Sequence, residues 1–524
     1  MNFNLVDKAW IPVIDANGIR REIGIREAIV DAHRIAELRD ESPLVTAALH
    51  RMLLAVLHRV YDGPESTEQW IRIWTQGRHD PERTEAYLLK WQHRFDLFDR
   101  DYPFYQVSNL GVDKLTPVTT LAQERAGGNN ATLFDHTVDP LPVSFTPAES
   151  TRALVGNQAF AIGGGRSPSS ERFGPHPNRS HGPLIGGVTV LLKGDSLFET
   201  LMLNLLTYSE YGDLPLRKSP EDMPAWERDS VNPPGERVPE GWLDTLTWQS
   251  RYVLFIPDDT SVTEMQYTSG ESLPSPENRP RDPMWFYALD AKDATKQVTV
   301  RVNPDKALWR SADSLFAITA NENTGNRRRP LAFRRAALEL NRRDVIGNAS
   351  QWRCSLIGLA NDKAKVLLWT HQDLPVPIPL LNSEELVQRL QMELNYAEGA
   401  GHALERSLWL LSSLLLSPDE ETAKPQSEDI KSLRDSLQGE PRYWGALERP
   451  FKQLIVALPG NTDEASKTWR ETVRKVVWKT FDITADNSLG GSSRELQARV
   501  RAGEYLASGL RQRRITGKEE HTDD

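Results

Sequence analysis

Hydrophobic and polar positions along the chain follow three successive regimes. The opening alternates around Trp10-Ile11-Pro12-Val13-Ile14 and then meets Asp15-Ala16-Asn17-Gly18. An Asn-Gly pair after alternating apolar residues signals a hairpin, so a strand pair is expected first. From Ser42 to about Tyr61, the residues Leu44, Ala47, Leu49, Leu53, Leu54, Val56 and Leu57 recur at helical spacing behind a Ser-Pro start. That spacing predicts a core-facing helix in which His50 and His58 are structural. Tyr102-Pro103-Phe104-Tyr105-Gln106 reads as an aromatic packing plug. Between about Gln123 and Gly187 the periodicity collapses while Gly, Pro, Ser and Asn accumulate. A long stretch of that kind inside a domain is functional or disordered.

Beyond it, Val188 to Leu192, Tyr252 to Ile256 and Val298 to Val302 read as strands, and Ser196 to Leu206 as a short buried helix. Leu214 to Arg237 is loop-like. Ser355 to Leu359 and Val366 to Trp369 flank Asn361-Asp362-Lys363 as a second hairpin. After the connector Leu374-Pro375-Val376-Pro377-Ile378-Pro379 the pattern is helical to the end, over about Ser383–Leu416, Glu440–Ala457, Thr462–Phe481 and Ser492–Arg514. The expected fold class is therefore α+β: a large mixed α/β domain over residues 1–380, then a four-helix bundle over 381–524.

Composition narrows the chemistry. A chain of 524 residues exceeds one ordinary core, and no run approaches the ~20 apolar residues of a bilayer-spanning helix. Met1 to Asp7 lacks the basic start and apolar stretch of a secretory signal, so a cytoplasmic protein with no membrane partner is expected. The single cysteine, Cys354, rules out an internal disulfide and sits in an apolar run as a buried small side chain. A formal net charge of −10 confines any phosphate binding to local patches.

Catalytic motifs are missing. The Gly163–Ser167 run places Arg166 where a phosphate-binding loop needs lysine, and no zinc-protease helix, nucleophile elbow or dinucleotide fingerprint occurs. The one close histidine pair, His176 and His181, lacks carboxylates to complete a metal set. No catalytic residue, metal or cofactor is expected, although a hydrolase or transferase with its site in the loop 163–181 stays open at this point.

Local basic patches are present. From Arg152 to Arg179 the chain carries Arg152, Arg166, Arg172 and Arg179 against the single acid Glu171, interleaved with Phe160 and Phe173. Its triple glycine bares backbone N–H groups that can approach a sugar-phosphate chain or a groove. A second cluster, Arg327, Arg328, Arg329, Arg334, Arg335, Arg342 and Arg343 against Glu339, reads as a phosphate-binding patch or as a helix paired to acids elsewhere. A third, Arg494, Arg499, Arg501, Arg511, Arg513, Arg514 and Lys518, lines the last helix and the tail. A purely structural scaffold that uses such patches for protein contacts is a further alternative.

Taken together, Leu5-Val6-Asp7-Lys8-Ala9-Trp10-Ile11-Pro12-Val13, the plug at 102–106, Thr116-Pro117, the Gly163-Gly164-Gly165 run, Trp309 and the helical C-terminus resemble the CasA family, the large subunit of the type I-E CRISPR complex called Cascade. The resemblance spans nearly the whole chain. It implies a non-enzymatic subunit that reads the protospacer-adjacent motif of target double-stranded DNA from the minor groove and helps start R-loop formation. It also implies, as partners, the other Cascade subunits, the CRISPR guide RNA and a helicase-nuclease. A degenerate minor-groove pattern suits a tolerant reader, with sequence identity delegated to guide pairing. By the same resemblance Gly163, Gly164, Gly165 and Arg166 approach the motif, and Asn129, Asn130, Leu133, Phe134 and Asp135 contact the guide's handle. Asn361, Asp362, Lys363 and Ala364 form a strand-separating wedge. The family's wedge glutamine is not at this tip, and its minor-groove lysine lacks a counterpart after Tyr267-Thr268, leaving Arg279 or Arg281 as substitutes.

Overall fold

Ser42 opens the first long helix by accepting the Val45 N–H on its hydroxyl (3.4 Å), and Pro43 fills the first turn, where a missing N–H costs nothing. The helix runs Pro43–Tyr61, is buried along almost its whole length, and stops at Asp62 in the left-handed conformation. Both His50 and His58 lie inside it, as the spacing predicts. The computed structural model describes residues 1–122, 143–175, 178–208, 219–275, 278, 281–290, 292–293, 295–318, 328–341, 345, 351–362, 365–417, 425–487 and 490–515. They fall into two compact units, Met1–Leu374 and Pro375–Asp524. The boundary expected from sequence, at 380, falls inside the short helix Ile378–Asn382.

Among the described residues the first unit has three three-stranded sheets and two two-stranded pairs. In one, Ile11–Asp15 lies between Arg20–Ile23 and Ile35–Leu38, all antiparallel, with Gly18 at φ 79° in the predicted turn. In the second, Val262–Ser269 lies between Thr116–Pro117 and Arg251–Pro257. In the third, Gln351–Asp362 lies between Thr189–Lys193 and Lys365–Pro377. The last two strands form the second predicted hairpin, longer than the apolar pattern suggested. Its inner strand is covered, with Cys354 fully buried opposite Leu192. Its outer strand has no further hydrogen-bonded neighbour among the described residues and leaves Leu367, Leu368 and Trp369 exposed. The aromatic plug packs as expected: Phe104 stacks on Phe95 and Trp226, and Gln106 donates to the Leu97 carbonyl (2.7 Å) while accepting from Phe255 N (2.8 Å).

Two expectations fail. The stretch read as structureless contains the helix Pro147–Phe160, opened by a full capping box in which Thr146 and Glu149 satisfy each other's amides. Arg152 and Phe160 therefore sit on a helix. Phe160 is buried, and Arg152 is bound to Glu22, to Asp40 and to the Trp10 carbonyl. The second arginine cluster is likewise no surface patch among its described members, because Arg329, Arg334 and Arg335 are buried. Arg335 donates to the carbonyls of Met202 (2.9 Å), Leu203 (2.6 Å) and Leu205, and lies over the Trp70 ring. It thereby satisfies the end of the helix Leu197–Asn204, an alternative to phosphate binding that uses the same five-donor fork. Arg328 is turned onto Ser314 Oγ (2.8 Å) and the Tyr287 carbonyl (3.4 Å). Arg327, Arg342 and Arg343 lie outside the described residues.

The second unit is helical. Glu384–Leu416 packs against Ser427–Ser436, Gly439–Ala457, Thr462–Asn487 and Ser493–Ile515. All but the ten-residue second member were legible from the pattern. Glu393, fully buried, is held bidentately by Arg470 (2.8 Å and 2.8 Å), and Ser407 donates to the Ala502 carbonyl (2.7 Å) where small residues bring two helices together.

Candidate nucleic-acid interface

The glycine run follows directly on the helix Pro147–Phe160, and its geometry is set by what receives it. Gly182 N donates to the Ala161 carbonyl (2.7 Å) and Leu184 N to that of Ala159 (3.0 Å), so the returning chain satisfies the end of the helix. Gly164 N donates to the Arg179 carbonyl (2.8 Å). A side chain at Gly163 would meet backbone atoms of Ser180 and His181 at 2.9 Å, which is why only hydrogen fits there. Gly164 and Gly165 are exposed and hold φ 114° and 79°, conformations other residues resist. Arg166, exposed, follows them.

Buried polar groups fix this turn to the sheet. Arg251 donates to the carbonyl of Ile162 (2.7 Å), to its neighbour Ser250 O (2.7 Å) and to Tyr267 Oη (3.0 Å). Gln158 grips the Arg251 backbone from both sides, its amide donating to O (2.8 Å) and accepting from N (3.0 Å). The hydroxyls of Ser167 and Ser269 lie 2.5 Å apart, Thr268 Oγ1 donates to Pro168 O (2.8 Å), and Ser272 Oγ to Ser180 Oγ (2.7 Å). Arg179 lies over the Tyr267 ring at 5.2 Å. The turn, the 178–182 return and the end of the strand Val262–Ser269 are thus one hydrogen-bonded body. His181 belongs to it, its Nδ1 accepting from Gly163 N (2.9 Å).

Sequence reasoning found the glycines but missed Arg251, Gln158 and Ser269, which support them. No local motif marks these three; each matters through a contact about a hundred residues away in the chain. Arg172, also in that reading, donates to the Ser108 carbonyl and lies over Phe173, whose ring meets buried Tyr252. Arg281 is laid against the Tyr287 ring (4.5 Å) and donates to Gln297 Oε1 (2.6 Å). On the hairpin, Asn361 is half-buried and Asp362 exposed, in a sheet other than the one that holds the glycine turn. Lys363, Ala364, Arg279, Asn129, Asn130, Leu133, Phe134 and Asp135 lie outside the described residues. Of the third patch, Arg494 donates to carbonyls at the end of Glu384–Leu416, Arg499 pairs with Asp482 and Asp486, and Arg501 is exposed.

One arrangement resembles a catalytic triad and fails as one. Ser355 Oγ lies 2.5 Å from Asp373 Oδ1, and the same ring nitrogen of His371, Nε2, faces both Ser355 Oγ (3.3 Å) and Asp373 (3.2 Å). A relay needs the base between nucleophile and acid on opposite nitrogens, and Ser355 is buried. Among the described residues no group of three or more His, Cys, Asp or Glu side chains gathers to hold a metal, and no helix is long and apolar enough to cross a membrane.

Residues 4–480 match the family model described as CRISPR-associated protein Cse1. This chain belongs to the Cse1 family. It is 31% identical over 501 residues to the CRISPR-associated protein CasA/Cse1 of Thermus thermophilus, a match covering 95% of each chain. The crystal structure of Thermus thermophilus CasA superposes with a TM-score of 0.79 at 27% identity, covering 98% of this chain and 100% of that one. Cse1 of Thermobifida fusca does so at 0.81 and 22%, over 97% of each chain. A chain of a structure titled CRISPR RNA-guided surveillance complex superposes at 0.74 and 21%, covering 97% and 99%. The Cse1 fold therefore accounts for both units described above.

Proposed function

We propose that this chain is the large, non-catalytic subunit of a type I-E CRISPR RNA-guided surveillance complex, and that its glycine turn reads the protospacer-adjacent motif of foreign duplex DNA from the minor groove. One observation carries the reading: Gly164 and Gly165 present bare, exposed main chain beside Arg166, on a turn that Arg251 and Ser269 hold rigidly to a sheet. A preformed turn without side chains can enter a narrow groove at little ordering cost. The family supports the setting, since a Cse1-like chain occurs in a structure titled as a surveillance complex.

In this reading the hairpin Gln351–Pro377 is the wedge that starts strand opening, with Asn361 and Asp362 at its described end and Lys363 and Ala364 beyond them. The segment with Asn129 to Asp135 contacts the guide's handle, the motif-bound complex recruits the helicase-nuclease, and the work is cytoplasmic. Arg281, turned onto Tyr287 and Gln297, serves as a brace more readily than as a groove reader, and Arg166 is the better cation for the adjacent phosphate.

The test is a gel-shift titration of the RNA-loaded assembly against duplexes that differ only beside the guide-matched region. Wild type is expected to discriminate among them, and a variant with Gly164 and Gly165 replaced by valine to assemble normally but bind all of them weakly. Equal binding of every duplex by the wild-type assembly would remove the proposal.

A further inference from the structure

We infer that Arg179 and Arg166 form a phosphate site beside the glycine turn, in which Arg179, mounted on the Tyr267 ring, grips a phosphodiester of the target DNA backbone. This rests on the motif-reading role proposed above and adds to it a contact that carries no sequence information.

Positive charge is left over around the turn. Arg251 is buried, yet its guanidinium donates only to the neutral acceptors Ile162 O, Ser250 O and Tyr267 Oη. Arg166 and Arg179 make no ion pair among the described residues either, and the one acid of their segment, Glu171, packs against Gly111 instead. Three guanidinium groups are thus linked through one tyrosine and one carbonyl, with no carboxylate on any of them. In a chain of formal net charge −10 that is a local positive potential. A buried cation without an acid partner is costly, and an anion arriving from outside offsets part of that cost.

Arg179 is the member already held in place. Its guanidinium lies over the Tyr267 ring at 5.2 Å, and the hydroxyl of that ring accepts from Arg251 Nε at 3.0 Å, so the platform is itself tied down. Nη2 donates to the Arg166 carbonyl at 3.3 Å. Nε is buried without an acceptor, while Nη1 donates to nothing among the described residues and, unlike Nε, is not buried. Arg335 differs, because it spends its donors on three carbonyls. Arg179 therefore keeps an open donor whose direction is set before a ligand arrives, and little side-chain entropy remains to be lost on binding.

Position selects the ligand. The carbonyl that holds Arg179 directly follows Gly164 and Gly165, and the main-chain N–H groups of Gly165 and Arg166 donate to no acceptor among the described residues. A guanidinium beside bare amides suits the oxygens of a phosphate. A turn that enters a minor groove passes between two sugar-phosphate walls, so cations flanking it meet backbone before base edges.

The experiment combines a salt series with single neutral linkages. RNA-loaded assemblies carrying wild type, Arg179→Gln or Arg179→Lys are titrated at several KCl concentrations with guide-matched duplexes. One methylphosphonate is placed at successive linkages flanking the motif on either strand, and, in a separate arm, in the guide RNA. Arg179→Gln is expected to weaken binding of every duplex about tenfold, about 1.4 kcal/mol, and to lower the salt slope by about 1, with motif preference kept. Methylphosphonate at one DNA linkage should weaken wild type and leave Arg179→Gln unaffected. Arg179→Lys keeps the charge without the fork, so it should retain the slope and show a smaller penalty at that linkage. An Arg179→Gln assembly that melts with wild type and has its slope and affinity would overturn the inference. So would a wild-type-sized linkage penalty in Arg179→Lys, the variant that decides if Arg179→Gln does not assemble, or an effect confined to linkages of the guide RNA. Absence of motif preference in wild type would instead strike the parent reading, so the two failures are distinguishable.

Discussion

Replacing Arg251 with methionine tests how the glycine turn is held. The side chain is buried, and its guanidinium supplies donors to Ile162 O, Ser250 O and Tyr267 Oη. Methionine keeps much of the packing volume but leaves these acceptors without their donor. Each buried polar atom so stranded costs about 1–3 kcal/mol, while removing a charge that has no acid partner among these bonds returns part of the desolvation penalty. The expected net loss is about 3 kcal/mol. For the 374-residue first unit, an unfolding entropy near 2.1 cal/mol/K per residue turns that into a drop of about 4 °C in Tm. Differential scanning calorimetry reads the drop. Because Ile162 O directly precedes Gly163, the same variant in the RNA-loaded assembly should lose motif discrimination in a gel-shift titration at temperatures where it remains folded. A Tm within 1 °C of wild type, or full discrimination despite the drop, would refute the claim that Arg251 fixes the turn.

Other expectations follow from single contacts. Gly165→Ala meets no neighbouring atom but sits at φ 79°, so it should cost about 1–2 kcal/mol by strain alone, whereas Gly163→Ala must push backbone aside and should disturb the Arg179–His181 amides in hydrogen exchange. Arg335→Met should lower Tm yet leave the salt dependence of duplex binding unchanged, because the guanidinium is spent on Met202, Leu203 and Leu205; a flattened salt slope would restore it as a phosphate contact. Arg470→Met strands the buried Glu393 carboxylate and should destabilise the helical unit by about 3–5 kcal/mol, visible as a separate shift in a two-transition melt. Burial pushes His50 down to about 4 and both His58 and His79 to about 3, against 6.5 when unfolded. Between those values the unfolded chain binds more protons, so stability is full above pH 6.5 and falls as pH drops, by about 2 kcal/mol per histidine at pH 5. Asp222, pushed up to about 6 chiefly by burial, works the other way and returns about 1 kcal/mol at that pH, so urea midpoints should still fall on acidification.

Legibility in the sequence tracked how burial is distributed around each element. The bundle helices bury one face each, so Leu390, Leu394, Ala397 and Leu404 stand out from polar neighbours and the limits of three of them fall within a residue of the expected ones, while Thr462–Asn487 runs six residues past the expected end at Phe481. The helix Pro147–Phe160 is covered nearly all round, and Ser150, Thr151, Asn157 and Gln158 lie inside it, so no apolar stripe remains to be seen. Asn157 donating to Leu121 O and Gln158 gripping Arg251 make those polar positions acceptable to the core, and neither bond is local. The arginines at 328–335 misled for a related reason. A guanidinium fork suits a helix's terminal carbonyls as well as it suits phosphate, and sequence alone does not say which of the two it faces. The glycine turn was found because Gly163-Gly164-Gly165 is conspicuous in itself, while its buttresses belong to a strand far along the chain.

The outer strand of the long hairpin has a practical corollary for handling the purified polypeptide. Leu367, Leu368 and Trp369 sit in water on a strand whose other side carries no hydrogen-bonded neighbour among the described residues. Such a border invites a second molecule to add itself edge to edge. Concentrated stocks of the lone subunit should therefore drift toward oligomers on storage, with charged replacements at Leu367 and Trp369 slowing the drift.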